Sequence, residues 1–183
     1  MSVFSNPAST SLEDAASYTT AILGLVGTRQ PMEILRETPA AIRRGIAGLS
    51  DAQLSQPEAP GKWSIRQMLQ HLADSELVWG YRLRMVLAHE RPPLIGYDQD
   101  LWAERLRYAA SDVAGALDLW SALRRADLRL LDGVSEADCA RVGVHAERGE
   151  ESVAHMVRMF AGHDLMHLQQ LERIRRIVAP DAP

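Results

Sequence analysis

Residues 150–178 read EESVAHMVRMFAGHDLMHLQQLERIRRIV, and this stretch sets the fold class. Met156, Phe160, His163, His167, Leu171, Ile174 and Val178 recur there at spacings of four and three. On a helix of 3.6 residues per turn such positions form one continuous stripe, and Pro180 then ends the helix. Upstream, Ser64 followed by Gln67 forms a capping box, with Trp63 as the apolar residue before the cap. It opens a second long helix in which Ile65, Met68, Leu69, Leu72, Trp79, Leu83 and Val86 share a face. That helix runs to about His89, where Pro92 and Pro93 prevent continuation.

The remaining segments follow from their breakers. Leu12–Val26 reads as a helix stopped by Gly27, and Met32–Leu49 as a helix interrupted by Pro39. Ser55–Gly61, with Pro57 and Pro60, reads as a loop. Asp98 or Asp100 caps a shorter helix through Tyr108. Ser111 or Asp112 opens another, with Val113, Leu117, Trp120, Leu123, Leu130 and Leu131 inward. The segment 135–149 is irregular apart from one turn around Glu136–Ala140, and no strand pair stands out. The expectation is an all-α helical bundle, one domain over 12–180, preceded by a loose polar terminus over 1–11.

Composition narrows the functional classes. The 183 residues carry 46% apolar and 24% charged side chains, an ordinary globular balance. Aromatics are only 5%, a mixture that favours helices over a β-sandwich. A formal charge of −4, with Lys62 the only lysine, gives no electrostatic footprint for nucleic acid. Cys139 stands alone, which excludes an internal disulfide and any multi-cysteine metal site. The apolar stretch Ala21–Val26 is preceded by Glu13 and Asp14, unlike a secretory signal, and is too short to span a bilayer. A cytoplasmic protein with no membrane or nucleic-acid partner is expected.

The candidate chemistry lies in the pair His163 and His167. Four apart on a helix, both imidazoles point the same way and can share one metal ion. Both occupy the apolar seam of the last helix, where unpaired polar groups cost about 1–3 kcal/mol each to bury. Either a metal satisfies them or backbone and water do. His71, at the edge of its helix's apolar face, is the candidate third ligand. Glu76 falls on that face between Leu69 and Leu83. It could orient an imidazole or act as a general base, or pair with Arg82 or Arg84. Asp74 points toward solvent, and Arg82 either meets a substrate anion or stays a surface residue. Asp164 and Gln170 flank the histidine pair as possible supports. The four tryptophans are read as core and capping anchors. His155 is expected at a solvent-facing position, and no role is assigned to His89 or His145.

The run from Gly61 to Glu76, Arg82-Leu-Arg84, Tyr97-Asp-Gln-Asp-Leu-Trp102 and His163-Asp-Leu-Met-His167-Leu-Gln-Gln170 together resemble the DinB/YfiT-like superfamily, over about residues 29–178. The resemblance implies a four-helix bundle of unusual topology, commonly dimeric, with a divalent metal held by His71, His163 and His167. Imidazole donors suit Zn, Ni, Fe or Co better than Mg or Ca. Three protein ligands leave a position open for water or for the sulfur of a low-molecular-weight thiol. The implied activity is metal-dependent hydrolysis or thiol-S-transfer on a small-molecule substrate. A non-catalytic, metal-stabilised bundle acting as a binding or stress-response protein is the alternative. Proton competition is expected to weaken metal binding below the imidazole range near pH 6.5.

Overall fold

A computed structural model describes residues 12–180; the loose terminus expected over residues 1–11 lies outside them. In chain order the helices are α1 (Leu12–Val26), α2 (Pro31–Ile46), α3 (Asp51–Ser55), α4 (Ile65–Ala88), α5 (Gln99–Arg105), α6 (Val113–Leu131), α7 (Glu136–Cys139) and α8 (Val153–Val178). Among the described residues, three short strands, β1 (Pro93–Leu94), β2 (Val142–His145) and β3 (Gly149–Ser152), and one 3-10 turn at Tyr108–Ala110 complete the set. Helices α2, α8, α4 and α6 pack in a closed ring, and α1 lies along α8. This is the four-helix bundle that the stripes imply. None of the described helices is long and apolar enough to cross a membrane.

Local chemistry starts the helices where the sequence places them. Ser64 Oγ accepts from the Gln67 N–H while Gln67 Oε1 accepts from the Ser64 N–H, so the capping box forms at α4. Between the paired alternatives, Asp98 caps α5 and Asp112 caps α6. The apolar face of α4 buries Ile65, Met68, Leu69, Leu72, Trp79, Leu83 and Val86 as its periodicity requires.

Four elements differ from the sequence reading. Ser50 and Gln53 form a further capping box that starts α3 just before the expected loop. Segment 135–149 is not simply irregular: after α7, β2 and β3 form a hairpin, and β2 pairs in parallel with β1. The bundle therefore carries a small three-stranded sheet, too short for periodicity to announce. It docks tightly, because a Cβ at Gly143 would lie 2.8 Å from Leu94 and Val86 side-chain atoms. Helix α8 begins at Val153, capped by Ser152, after the strand that occupies the expected first turn.

The fourth difference concerns Pro39, which sits inside an unbroken α2. A proline there removes the N–H that would bond the carbonyl four residues back, at Leu35. That carbonyl instead accepts from Arg124 Nη1 at 2.9 Å. Arg124 of α6 is 1% exposed, and its guanidinium also binds Glu76 of α4 and Asp164 of α8 through paired hydrogen bonds of 2.7 to 3.0 Å. Trp120 Nε1 completes the shell of Glu76 at 3.1 Å. This polar layer separates two apolar clusters, one around Leu83, Trp79 and Phe160 and the other around Leu69, Trp120 and Ile174. A close approach also fixes α1: a Cβ on Gly162 would lie 2.3 Å from the Ile22 carbonyl oxygen.

Two carboxylates share one guanidinium, so the layer holds an excess negative charge. Burial, opposed by Arg124 and aided by the charges of Asp164 and Asp127, pushes the Glu76 carboxyl up to about 7. Arg124→Met should cost about 3–5 kcal/mol in denaturant unfolding, because it strands both carboxylates and the Leu35 carbonyl. Adding Glu76→Gln to that variant should recover part of the loss. An Arg124→Met protein as stable as wild type would show that the layer does not hold the bundle together.

Candidate metal centre

Helix α4 supplies His71, and successive turns of α8 supply His163 and His167. Their ligand atoms all lie within 4.8 Å of one another. His163 Nε2 is 3.2 Å from His71 Nε2 and 3.1 Å from His167 Nε2. An ion bound tetrahedrally at about 2.0–2.1 Å would hold neighbouring ligand nitrogens about 3.3–3.4 Å apart, so the two pairs that share His163 already stand near ligand spacing.

The proton inventory supports the same fit. His167 Nδ1 lies 2.8 Å from Gln170 Oε1, which can only accept, so the ring carries its proton on Nδ1 and turns a lone pair inward from Nε2. His163 Nε2 faces two imidazole nitrogens, and as a neutral ring it cannot satisfy both by donating one proton. A divalent cation accepts all three lone pairs together. Gln170, expected as a possible support, holds one ligand directly. Asp164 acts at one remove, by fixing Arg124 beside α8. Phe160 stacks on His163 with centroids 5.5 Å apart, and Trp63 lies 5.0 Å from His71.

Burial is the first cause that lowers the pKa of each imidazole: His71 and His163 fall well below 6.5, and His167 to about 4. Neighbouring positive charge adds to this at each ring, and at His167 the Gln170 hydrogen bond opposes it. The rings are therefore neutral and ready to ligate well below the pH 6.5 expected from sequence. In the folded protein, proton competition for the metal starts at lower pH.

A cleft with a cavity of about 130 Å³ opens beside His71 and His163. Ser75, Trp79, Arg82 and Tyr97 line it from the α4 side, and His145 and Arg148 from the hairpin. Ser75 Oγ sits 3.2 Å from His71 Nε2 and 2.9 Å from the Tyr97 hydroxyl, linking a ligand to the cleft wall. Glu76 lies elsewhere than a general base requires. It is fully buried, both its oxygens are taken by Arg124 and Trp120, and its ion-pair partner is Arg124 rather than Arg82 or Arg84. Asp74 is half-buried rather than solvated, accepting from the Tyr108 hydroxyl at 2.6 Å.

Two residues that sequence reasoning missed are Arg124 and His145. Arg124 had a signal, because Leu117, Trp120, Arg124 and Asp127 follow one helical stripe and place two charges on the inward face. His145 had none beyond a four-residue alternation in Val142–His145.

Linkage fixes how the metal-free protein responds to acid. Unfolded histidines take up protons near 6.5, whereas the buried ligands do so only at lower pH, near 4 for His167. Stability contributed by these groups is therefore lost as pH falls from 6.5 toward 4. Thermal melts in chelator at constant ionic strength should show that loss, and it should be shallower in His167→Gln, which removes one of the three groups. Parallel curves for the two proteins would contradict burial of the ligand as a neutral ring.

Comparison with known proteins agrees with this geometry. The DinB superfamily model matches residues 34–171, which includes all three histidines. YfiT of Bacillus subtilis is 27% identical over 146 residues, spanning 78% of this chain and 82% of that protein. OB0782 of Oceanobacillus iheyensis, whose name carries the same metal-dependent hydrolase designation, is 29% identical over 137 residues, 75% of this chain and 79% of that one. The solved structure of YfiT superposes with a TM-score of 0.76 at 25% identity, over 80% of this chain and 85% of its own. It is described as a probable metal-dependent hydrolase with an unusual four-helix bundle topology. With its bundle, its three converging imidazoles and a family match over most of its length, this chain belongs to the DinB superfamily.

Proposed function

We propose that the protein is a metal-dependent enzyme acting on a small molecule, with the ion held by His71, His163 and His167. The observation that carries this reading is the convergence of three Nε2 atoms at the edge of an open cleft. A purely structural site closes its coordination shell with a fourth protein ligand, and no fourth His, Cys, Asp or Glu joins the cluster among the described residues. When bound, a divalent transition metal supplies Lewis acidity: it lowers the pKa of a water or thiol in the open position and polarises an electrophile.

The chain's own residues do the rest. Gln170 holds the His167 tautomer, and Ser75 with Tyr97 steadies the cleft-facing edge of His71. Phe160 and Trp63 flank two ligands with apolar surface, which strengthens electrostatics inside the site. Glu76 works as a positioning residue, through Arg124 and Asp164, on the helix turn that carries His163. Imidazole donors favour Zn, Ni or Fe. The reaction is hydrolysis, or transfer involving a low-molecular-weight thiol, and the designation of the relatives favours hydrolysis. A cytoplasmic location and a homodimer belong to the same proposal; a monomer mass by light scattering at micromolar concentration would oppose the dimer.

Metal analysis of protein purified without a histidine tag tests the site. About one Zn, Ni or Fe per chain is expected in wild type, with loss in His71→Ala and His167→Ala while the helical signal persists. Hydrolysis of model esters or turnover of thiol conjugates should fall at least about a hundredfold in His163→Ala. Stoichiometric metal without turnover in either screen would favour the non-catalytic bundle. Absence of metal after incubation with each ion and dialysis would overturn the reading.

A further inference from the structure

The cleft wall opposite the histidines is rich in hydrogen-bond donors that have no acceptor among the described residues. His71 and Arg82 are eleven positions apart on α4, about 16 Å along its axis, so Arg82 marks the far end of the cleft. Its Nε and Nη2 donate to the Ile95 carbonyl. Arg148 uses Nε and Nη2 on the two oxygens of Glu151. Neither Nη1 makes a bond among the described residues. The two guanidinium groups are close enough for each to feel the other's charge.

His145 stands with them. It is 2% exposed, and its Nδ1 accepts the Glu147 backbone N–H at 3.2 Å. A neutral ring in that arrangement carries its proton on Nε2, and this buried Nε2–H has no partner among the described residues. The atom lies beside Gly96, another cleft residue, 3.8 Å from where a Cβ would stand there. Trp79, also in the lining, has a second buried donor without a partner at Nε1. Buried orphan donors are rare in folded proteins and call for an acceptor.

We propose that this end of the cleft is a carboxylate-binding subsite. The free Nη1 groups of Arg82 and Arg148 and the Nε2–H of His145 receive the monoanion of a small organic acid, whose reacting centre lies at the three-histidine cluster. That substrate assignment rests on the metal-enzyme reading above; binding of the anion itself does not. Charge balance selects a monoanion. Glu151 pairs with Arg148 and Glu147 lines the same cleft, so the positive charge of the two arginines is partly offset and the site suits a single negative charge. At the His145 ring, after burial, either arginine lowers the pKa more than either glutamate raises it. Planar carboxylate also matches paired guanidinium donors.

Titration of the full-length protein with butyrate, butyramide and inorganic phosphate at constant ionic strength tests the subsite. The readouts are thermal shift and the nitrogen chemical shift of the His145 ring, taken on protein as purified and after chelation. Butyrate should bind in both states and move the His145 signal, while the isosteric amide and phosphate bind more weakly. Affinity should fall at least about tenfold in Arg82→Gln and in Arg148→Gln, the loss of one charge-assisted contact, and recover in part in Arg82→Lys. Both glutamine variants should still take up the metal, and either one alone suffices for the test if the other does not fold. Equal binding of butyrate and butyramide, or tighter binding of phosphate, would overturn the proposal. Butyrate binding only in metal-loaded protein, insensitive to Arg82 and Arg148, would mean direct ligation to the ion: the subsite falls and the metal centre stands. Arginine-dependent binding in a protein that holds no metal would leave the subsite standing and remove the metal enzyme.

Discussion

Arg124 is the interaction on which the rest of the bundle depends. A guanidinium cannot shed its charge, so a buried arginine must be met by acceptors on every side. Here those acceptors come from three other helices: the Leu35 carbonyl of α2, Glu76 of α4 and Asp164 of α8. The four-helix ring is thus closed by one side chain as well as by its apolar faces. The same bond explains how α2 tolerates Pro39, since the carbonyl that the proline orphans is the one Arg124 takes. A polar layer of this kind adds little net stability over an apolar one. Its geometric demand is strict, though, and that fixes how the helices are rotated about their axes.

Rotation matters because the site is assembled across helices. Asp164 is anchored by Arg124, and its neighbour His163 is thereby turned toward His71 on α4. His167 follows one turn later on the same stripe, with its tautomer held by Gln170. His71 and His167 are buried, His163 is partly so, and burial holds all three rings neutral, which suits a divalent transition metal and leaves little for protons to compete over. Beside them the hairpin of β2 and β3 closes one wall of the cleft, bringing His145 and Arg148 to face α4. The site thus rests on two kinds of support: the three histidines sit on long helices, and His145 and Arg148 on the connection between α6 and α8.

Much of this was legible in the sequence, for identifiable reasons. Helix periodicity and capping are local properties, so Ser64 with Gln67, the stripe of α8 and the caps Asp98 and Asp112 could be read one segment at a time. The histidine cluster was legible because a four-residue spacing on one helix is itself a geometric statement, and because the ordered motifs of the family tie His71 to that pair. Pro39 misled, since a local rule forbids what a distant side chain repairs. Glu76 was placed on the correct face but given the wrong arginine, because helical phase says which way a residue points and nothing about what meets it there.

By itself, then, the sequence determined the long helices, their buried faces and the pair His163 and His167, because each of these follows from residue types at fixed short spacing; His71, 92 positions from His163, came only with the family resemblance. Tertiary structure alone decided that Glu76 belongs to Arg124, that Gly162 lets α1 lie against α8, and that His145 and Arg148 face Arg82 across a cleft. Those contacts join residues tens of positions apart, through packing and charge compensation that no short window of sequence contains.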